Sequence, residues 1–442
     1  MLISCNTPKQ SNQPADYSNL ASALDSSMMV SKQEMLDVLL KYLAVESQSE
    51  EAPVGIYPMT EGQMEMARLL ESDILGLGVK PILTEWGYVY VDVPSNIDKQ
   101  VPTLGISCHL DVTPEAPGVG IKPIVIDNYP GGDIVLPDGS VISPSNPDGQ
   151  DLPSLAGKTI VHSDGTTLLG GDDKNGCAIV MSVLKTIMDP NTKHGRIQLI
   201  FCPNEDIGLS AEKIDTTLFN PDILFDVDGA GGAEVTVSNF TARGMKVSFY
   251  GNDAHPSNAK ALKLGDALAA AATYISNVPL KYRPENTEGL QGYIHHWNLT
   301  KEGVDYTVSS RIRFFDAAEG TLFDSIIKES LEKVRSDYPN VNVKVIWDET
   351  QYDNVAFTMH PKSREVIERA AFRCGQKLDF ISERGGTTAA MFTAKGLKGG
   401  MCIYSGQHNP HKVHEYSCID EMMDSYRLLL HVVDEVGRLN EE

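Results

Sequence analysis

The chain reads as an α/β protein: a mixed, largely parallel sheet flanked by helices, with a smaller α+β unit inserted. Three observations predict this. The apolar runs Thr103 to Cys108, Ile197 to Cys202 and Ile223 to Val227 are compact enough to be buried strands. Between the first two, Cys177 to Met188 has the length and periodicity of a crossover helix, and strand–helix–strand alternation is the pattern of a parallel sheet covered by helices. Near residue 240 the texture changes to strand, helix, strand, helix, strand.

Each element has a local cause. Ser31 with Glu34 forms a capping box ahead of a helix carrying Leu36, Leu39, Leu40 and Leu43 on one face. Thr60 with Gln63 has the same spacing and predicts a second boxed helix through Met66, Leu69 and Leu70. In the inserted unit, Met245 to Tyr250, Tyr306 to Phe314 and Val341 to Trp347 read as strands. An Ala-rich helix from about Ala259 to Ser276 and an amphipathic helix over Leu322 to Val334 separate them. The alternating texture resumes after Tyr352 and ends in a long helix, Ile419 to Leu439. At 442 residues the chain exceeds what one core supports. The expected organisation is a disordered lead-in over 1–30, a discontinuous catalytic domain over 31–240 and 351–442, and an inserted domain over 241–350.

The composition excludes several classes. With 60 acidic against 37 basic residues the net charge is −23, so nucleic acid, which demands clustered Lys and Arg, is not an expected partner. No apolar stretch approaches the ~20 residues of a membrane span. Seven cysteines, at 5, 108, 177, 202, 374, 402 and 418, are odd in number and lack a Cys-x-x-Cys pair, which reads as free thiols in a reducing, cytoplasmic setting. Leu2 to Cys5 has the shape of a lipoprotein cleavage box without the charged and apolar regions that precede one; a truncated lipoprotein signal is the minority alternative.

Five clusters carry chemistry, each after an apolar run. In Cys108-His109-Leu110-Asp111 an extended backbone puts His109 and Asp111 on one side, the pairing that orients a metal-binding imidazole. Gly170-Gly171-Asp172-Asp173 opens the crossover helix; one Asp could cap the helix while its neighbour points into a site. The adjacent acids Glu205 and Asp206 repel unless a cation lies near, and suit one ligand beside one proton acceptor. Asp228 ends a strand before a Gly-rich bend, at the sheet edge where α/β sites form. His408, His411 and His414 crowd within seven residues, and one ligand from them would complete a site. His, Asp, Glu/Asp, Asp and His suit two zinc ions, with a bridging aspartate sparing one ligand.

This order and spacing resembles the peptidase T family of tripeptide aminopeptidases, within the dinuclear zinc exopeptidases that include carboxypeptidase G and aminoacylase. The likeness runs from about Ser31 to the C-terminus and includes Asn128-Tyr129-Pro130-Gly131-Gly132-Asp133-Ile134, Leu168 to Gly176 and His414-Glu415-Tyr416. It implies that Asp172 bridges two Zn2+ (Co2+ or Mn2+ as alternatives), that His109 and Asp228 complete one, and that Asp206 and His414 complete the other. Glu205 would be the general base on the bridging water, and Asp111 would orient His109.

The inserted unit resembles the family's lid. The resemblance implies that His255 steadies a developing oxyanion, in a neighbouring subunit's site if the lid forms a homodimer, and that Arg313 and Arg384 grip a short peptide's carboxylate. Two departures stand out. The family has two glutamates where this chain has Glu205-Asp206, and Gly-Gly-Thr-Asp where it has Gly385-Gly386-Thr387-Thr388. Alternative readings are a dipeptidase, carboxypeptidase or N-deacylase of the same family, or a peptide-binding protein without catalysis.

Overall fold

The computed structural model describes residues 29–50, 60–253, 255–348 and 350–439. The lead-in up to residue 28, with the Leu2 to Cys5 segment, lies outside them. Four parallel strands form the centre of an 11-stranded sheet, in the order Ile197–Cys202, Leu104–His109, Ile223–Ala230 and Gly400–His408. Antiparallel strands flank them: Val89–Val93 and Ile82–Leu83 on one side, Tyr416–Cys418, Ile160–His162 and Ile124–Ile126 on the other.

Alternation along the strands builds two apolar layers. Ile197, Leu199 and Phe201 face a cluster completed by helices Lys32–Leu43, Glu61–Gly76, Gly171–Ile187, Ser363–Arg373 and Ile419–Arg438. Ile200 and Cys202 face the opposite way, against Tyr88, Phe219 and Phe392. The Ser31–Glu34 box forms as expected. The Thr60–Gln63 pair makes none, because both side chains are engaged elsewhere: the Thr60 hydroxyl donates to the Gln48 carbonyl, and Gln63 exchanges two hydrogen bonds with Asn204.

Residues 241 to 347 carry a separate four-stranded antiparallel sheet and an apolar cluster of their own. Its order is Tyr293–Glu302, Asp305–Phe314, Thr241–Tyr250, Asn342–Trp347. Strand Tyr293–Glu302 has no counterpart in the sequence reading, since His, Asn and Lys interrupt its apolar pattern. The Ala-rich helix spans Ala267–Asn277, later than expected, because Asp266 accepts from the Ala269 N–H and starts it there.

Helix Gly171–Ile187 packs directly across the central strands. A Cβ at Gly176 would lie 2.1 Å from the Val227 carbonyl oxygen and 2.4 Å from both Asp173 carboxylate oxygens. In an open helix Gly→Ala gains about 1 kcal/mol, whereas overpacking a closed site costs about 1–3 kcal/mol or more. Here the contact decides, and Gly176→Ala lowers the midpoint of denaturant unfolding.

His408, at the end of its strand, is buried between Asp151 (Nδ1 to Oδ2, 3.0 Å) and Glu421 (Nε2 to Oε2, 2.9 Å) and stacks on Tyr416. Glu421 also pairs with Lys158 at 3.1 Å. Burial pushes the imidazole pKa down, but the two carboxylates outweigh it and hold it at about 9. A raised folded-state pKa gives stability that is complete below the unfolded value of about 6.5 and lost as pH climbs through 9. Denaturant midpoints of His408→Gln therefore fall furthest below the parent's near pH 6, and the gap narrows towards pH 10.

Candidate metal centre

The parallel centre brings four chain segments to one edge, and the crossover helix supplies a fifth. His109 is the last residue of its strand, Glu205 and Asp206 follow the strand ending at Cys202, Asp228 lies near the end of Ile223–Ala230, and His411 follows the strand ending at His408. Sites in open α/β sheets form at this carboxyl edge because the loops diverge there.

The two adjacent aspartates divide their work. Asp173 caps the helix, accepting from the Gly176 N–H at 2.9 Å and from the His109 N–H at 3.1 Å. Asp172 points into the site, with Oδ1 2.9 Å from His109 Nε2 and Oδ2 3.2 Å from His411 Nε2. It therefore stands between two imidazoles. Asp228 Oδ1 lies 3.4 Å from His109 Nε2, and Asp206 Oδ1 lies 2.9 Å from His411 Nε2. Ligand atoms of His109, Glu205 and Asp228 lie within 4.8 Å of one another, as do those of Asp172, Asp206 and His411.

Asp111 organises the acids from behind. One oxygen accepts from the Glu205 N–H at 3.0 Å, and the other from the Asp206 N–H at 3.2 Å and the Ser49 hydroxyl at 2.8 Å. Its Oδ1 also lies 3.3 Å from His109 Nδ1, although that ring nitrogen lacks an aligned hydrogen-bond acceptor. Asn204, just before Glu205, and His411 both have left-handed backbone, with φ of 60° and 65°. Such conformations are held by their surroundings, and at Asn204 the holder is Gln63.

The electrostatics favour a cation. Burial, together with Asp228, Asp206 and Asp111, pushes Glu205 well above the ordinary carboxylate pKa despite nearby His109. Burial and Asp172 push Asp206 to about 7. Hydrogen bonds to Asp172 and Asp206 lift His411 to about 11. Asp206 Oδ2 is buried without a hydrogen-bond partner. Carboxylates outnumber imidazoles here, an arrangement that one or more divalent cations would neutralise.

One expected ligand is elsewhere. His414 pairs with Asp148 (Nδ1 to Oδ2, 3.0 Å) and joins none of the three metal-capable groups, the third being His109, Asp111 and Asp206. The reason is loop geometry: His408 pairs directly with Tyr416, so 409–415 is a returning loop with His411 near its tip and His414 on the limb leaving the site. The three residues expected on the substrate side join none of the metal-capable groups among the described residues. His255 is exposed, with Nδ1 bonded to the Ser257 hydroxyl. Arg313 donates to the Arg243 and Ile312 carbonyls and to Gln351. Arg384 donates to the Gly289 and Gln291 carbonyls and the Thr287 hydroxyl, lying over Phe240. Thr388 Oγ1 is buried without a partner. Ser49, Gln63 and Glu415 are not among the site residues expected from the sequence, because each acts by holding other residues.

Comparison with known proteins decides the family. The profile of peptidase family M20/M25/M40 matches residues 160–435. The chain belongs to this family. A peptidase T of Clostridium perfringens is 33% identical over 403 residues, covering 89% of this chain and 97% of the relative. The crystal structure of aminopeptidase PepT from Bacillus cereus superposes with a TM-score of 0.69 at 20% identity, covering 92% of this chain and 99% of that one. A Bacillus subtilis protein described as a dinuclear metal-binding peptidase of the M20 family gives 0.63 at 11% identity, covering 92% and 99%. The fold is thus that of M20 peptidases, and the chain is a peptidase. Among the described residues no helix is long and apolar enough to cross a membrane.

The two histidines separate cleanly by substitution. His411→Ala lowers affinity for a second equivalent of metal by at least about tenfold, read by chelator competition. His414→Ala leaves both equivalents bound within a few-fold.

Proposed function

We propose that this M20 peptidase is an aminopeptidase holding two zinc ions, with Co2+ or Mn2+ as substitutes, that releases the N-terminal residue of short peptides, tripeptides above all. The observation that carries the reading is Asp172, with one oxygen beside His109 and the other beside His411. Asp172 would bridge the pair, His109 and Asp228 would complete one ion, and Asp206 and His411 the other. The named relatives, a peptidase T and an aminopeptidase, support the reaction class. When bound, the ions supply Lewis-acid polarisation of the scissile carbonyl and lower the pKa of water.

The chain's own residues do the rest. Glu205 takes the proton of the attacking water and returns it to the leaving amine, the exchange that a carboxylate beside the reacting water performs as general base and then general acid. Asp111 holds Glu205 and Asp206 by their backbone N–H groups, so base and ligand keep a fixed spacing. Arg313 and Arg384 offer guanidinium groups to the peptide carboxylate; Arg384 does so by exchanging its bonds to 287–291 for the substrate. The unit over 241–350 acts as a lid and homodimer surface, through which His255 reaches a neighbouring site. The six described cysteines are all free, which fits a reducing cytoplasmic location.

Removing the base tests the chemistry. With zinc, Glu205→Ala lowers kcat on a free-amine tripeptide about 100- to 10,000-fold, with KM little changed. Acetylating the substrate's amino group abolishes turnover by the parent. Unchanged kcat in the variant, or full activity on the blocked peptide, overturns the aminopeptidase reading. The same substitution relieves repulsion among Glu205, Asp228, Asp206 and Asp111, so the metal-free variant melts above the metal-free parent.

A further inference from the structure

Glu415 is a buried carboxylate, 1% exposed, on the returning limb of the His411 loop, and the reaction described above does not use it. Its Oε2 accepts from the N–H groups of Leu169 and Gly170 at 2.8 and 2.7 Å, and its Oε1 from the N–H of Asp172 at 3.0 Å. A single side chain thus satisfies three donors of a turn more than 240 residues earlier in the chain. The turn is shaped to reach it. Gly170 has φ of 81°, a left-handed conformation that favours glycine. A Cβ at Gly171 would lie 2.4 Å from the Ser417 hydroxyl and 3.2 Å from Glu415 Oε1, so only glycine lets the backbone come this close.

We propose that Glu415 is a positioning residue for metal binding. It clamps the turn that presents Asp172 to the loop that presents His411, and so fixes the distance between a bridging ligand and a terminal one. The physical basis is the acceptor count. Three N–H donors buried together need three accepting lone pairs, which a carboxylate supplies and an amide or hydroxyl does not. With the clamp in place, Asp172 Oδ2 is held 3.2 Å from His411 Nε2 without metal, so little reorganisation remains when a cation enters. Without it, each loop retains its own strand but loses its register against the other.

The inference rests on the dinuclear reading, and the experiment separates their failures. Zn2+ affinity and stoichiometry are measured by chelator competition on the full chain for the parent, Glu415→Gln and Glu415→Asp, alongside unfolding temperatures with and without metal. The expected result is two equivalents in the parent and a loss in Glu415→Gln of about 10- to 100-fold in affinity. The metal-induced rise in melting temperature shrinks accordingly, and kcat at saturating Zn2+ recovers towards the parent with KM for peptide unchanged. Glu415→Asp, which keeps both acceptors, falls between. Equal Zn2+ affinity in the parent and Glu415→Gln overturns the proposal alone. A variant whose only change is an equal drop in melting temperature with and without metal assigns Glu415 a purely structural role and also overturns it. Failure of the parent to bind Zn2+ overturns the dinuclear reading with it.

Discussion

Everything at the carboxyl edge of this sheet is governed by the cost of keeping negative charge out of water. Asp111, Asp172, Glu205, Asp206 and Asp228 are gathered around His109 and His411, and burial makes each unpaired carboxylate expensive. The imidazoles neutralise only part of this, as the raised pKa values of Glu205, Asp206 and Asp228 record. Such a site stores unfavourable interaction in its metal-free form, and that interaction becomes affinity for a divalent cation. The fold tolerates it because two apolar layers, one on each face of the sheet, stabilise the strands whose ends are so crowded.

The acids keep their places through backbone donors more than through one another. Asp111 takes the N–H groups of Glu205 and Asp206; Asp173 takes those of His109 and Gly176; Glu415 takes those of Leu169, Gly170 and Asp172. Each is a charge-assisted bond between segments far apart in sequence. The loops that carry the metal-capable groups are thereby cross-linked by carboxylate-to-backbone bonds. Ser49 and Gln63 extend the same scheme outwards, Ser49 onto Asp111 and Gln63 onto the left-handed Asn204.

This division explains what could be read from the amino-acid sequence. Three of the four central strands were legible because each is a short, continuous apolar run, and His109, Asp172, Glu205, Asp206 and Asp228 were legible because each follows such a run; Gly400–His408 was not, since Ser405, Gly406 and Gln407 break its apolar pattern. His411 was not separable from His414: both lie in one loop, and only the pairing of His408 with Tyr416 fixes which ring turns back towards Asp172. The Thr60–Gln63 spacing pointed to a capping box, but a tertiary partner, Asn204, took Gln63 instead. Strand Tyr293–Glu302 was hidden because every residue from Trp297 to Glu302 is exposed and a bulge between His296 and Asn298 breaks its period. Glu415 lay within a recognised motif, yet its partners are more than 240 residues away and no local pattern encodes them.

Arg313 and Arg384 follow a different logic from the acids at the centre. Each is satisfied by neutral acceptors: Arg384 by two carbonyls and a hydroxyl, Arg313 by carbonyls and an amide. A guanidinium bound to neutral groups retains its full charge, so a peptide carboxylate offers a stronger partner than those it would displace.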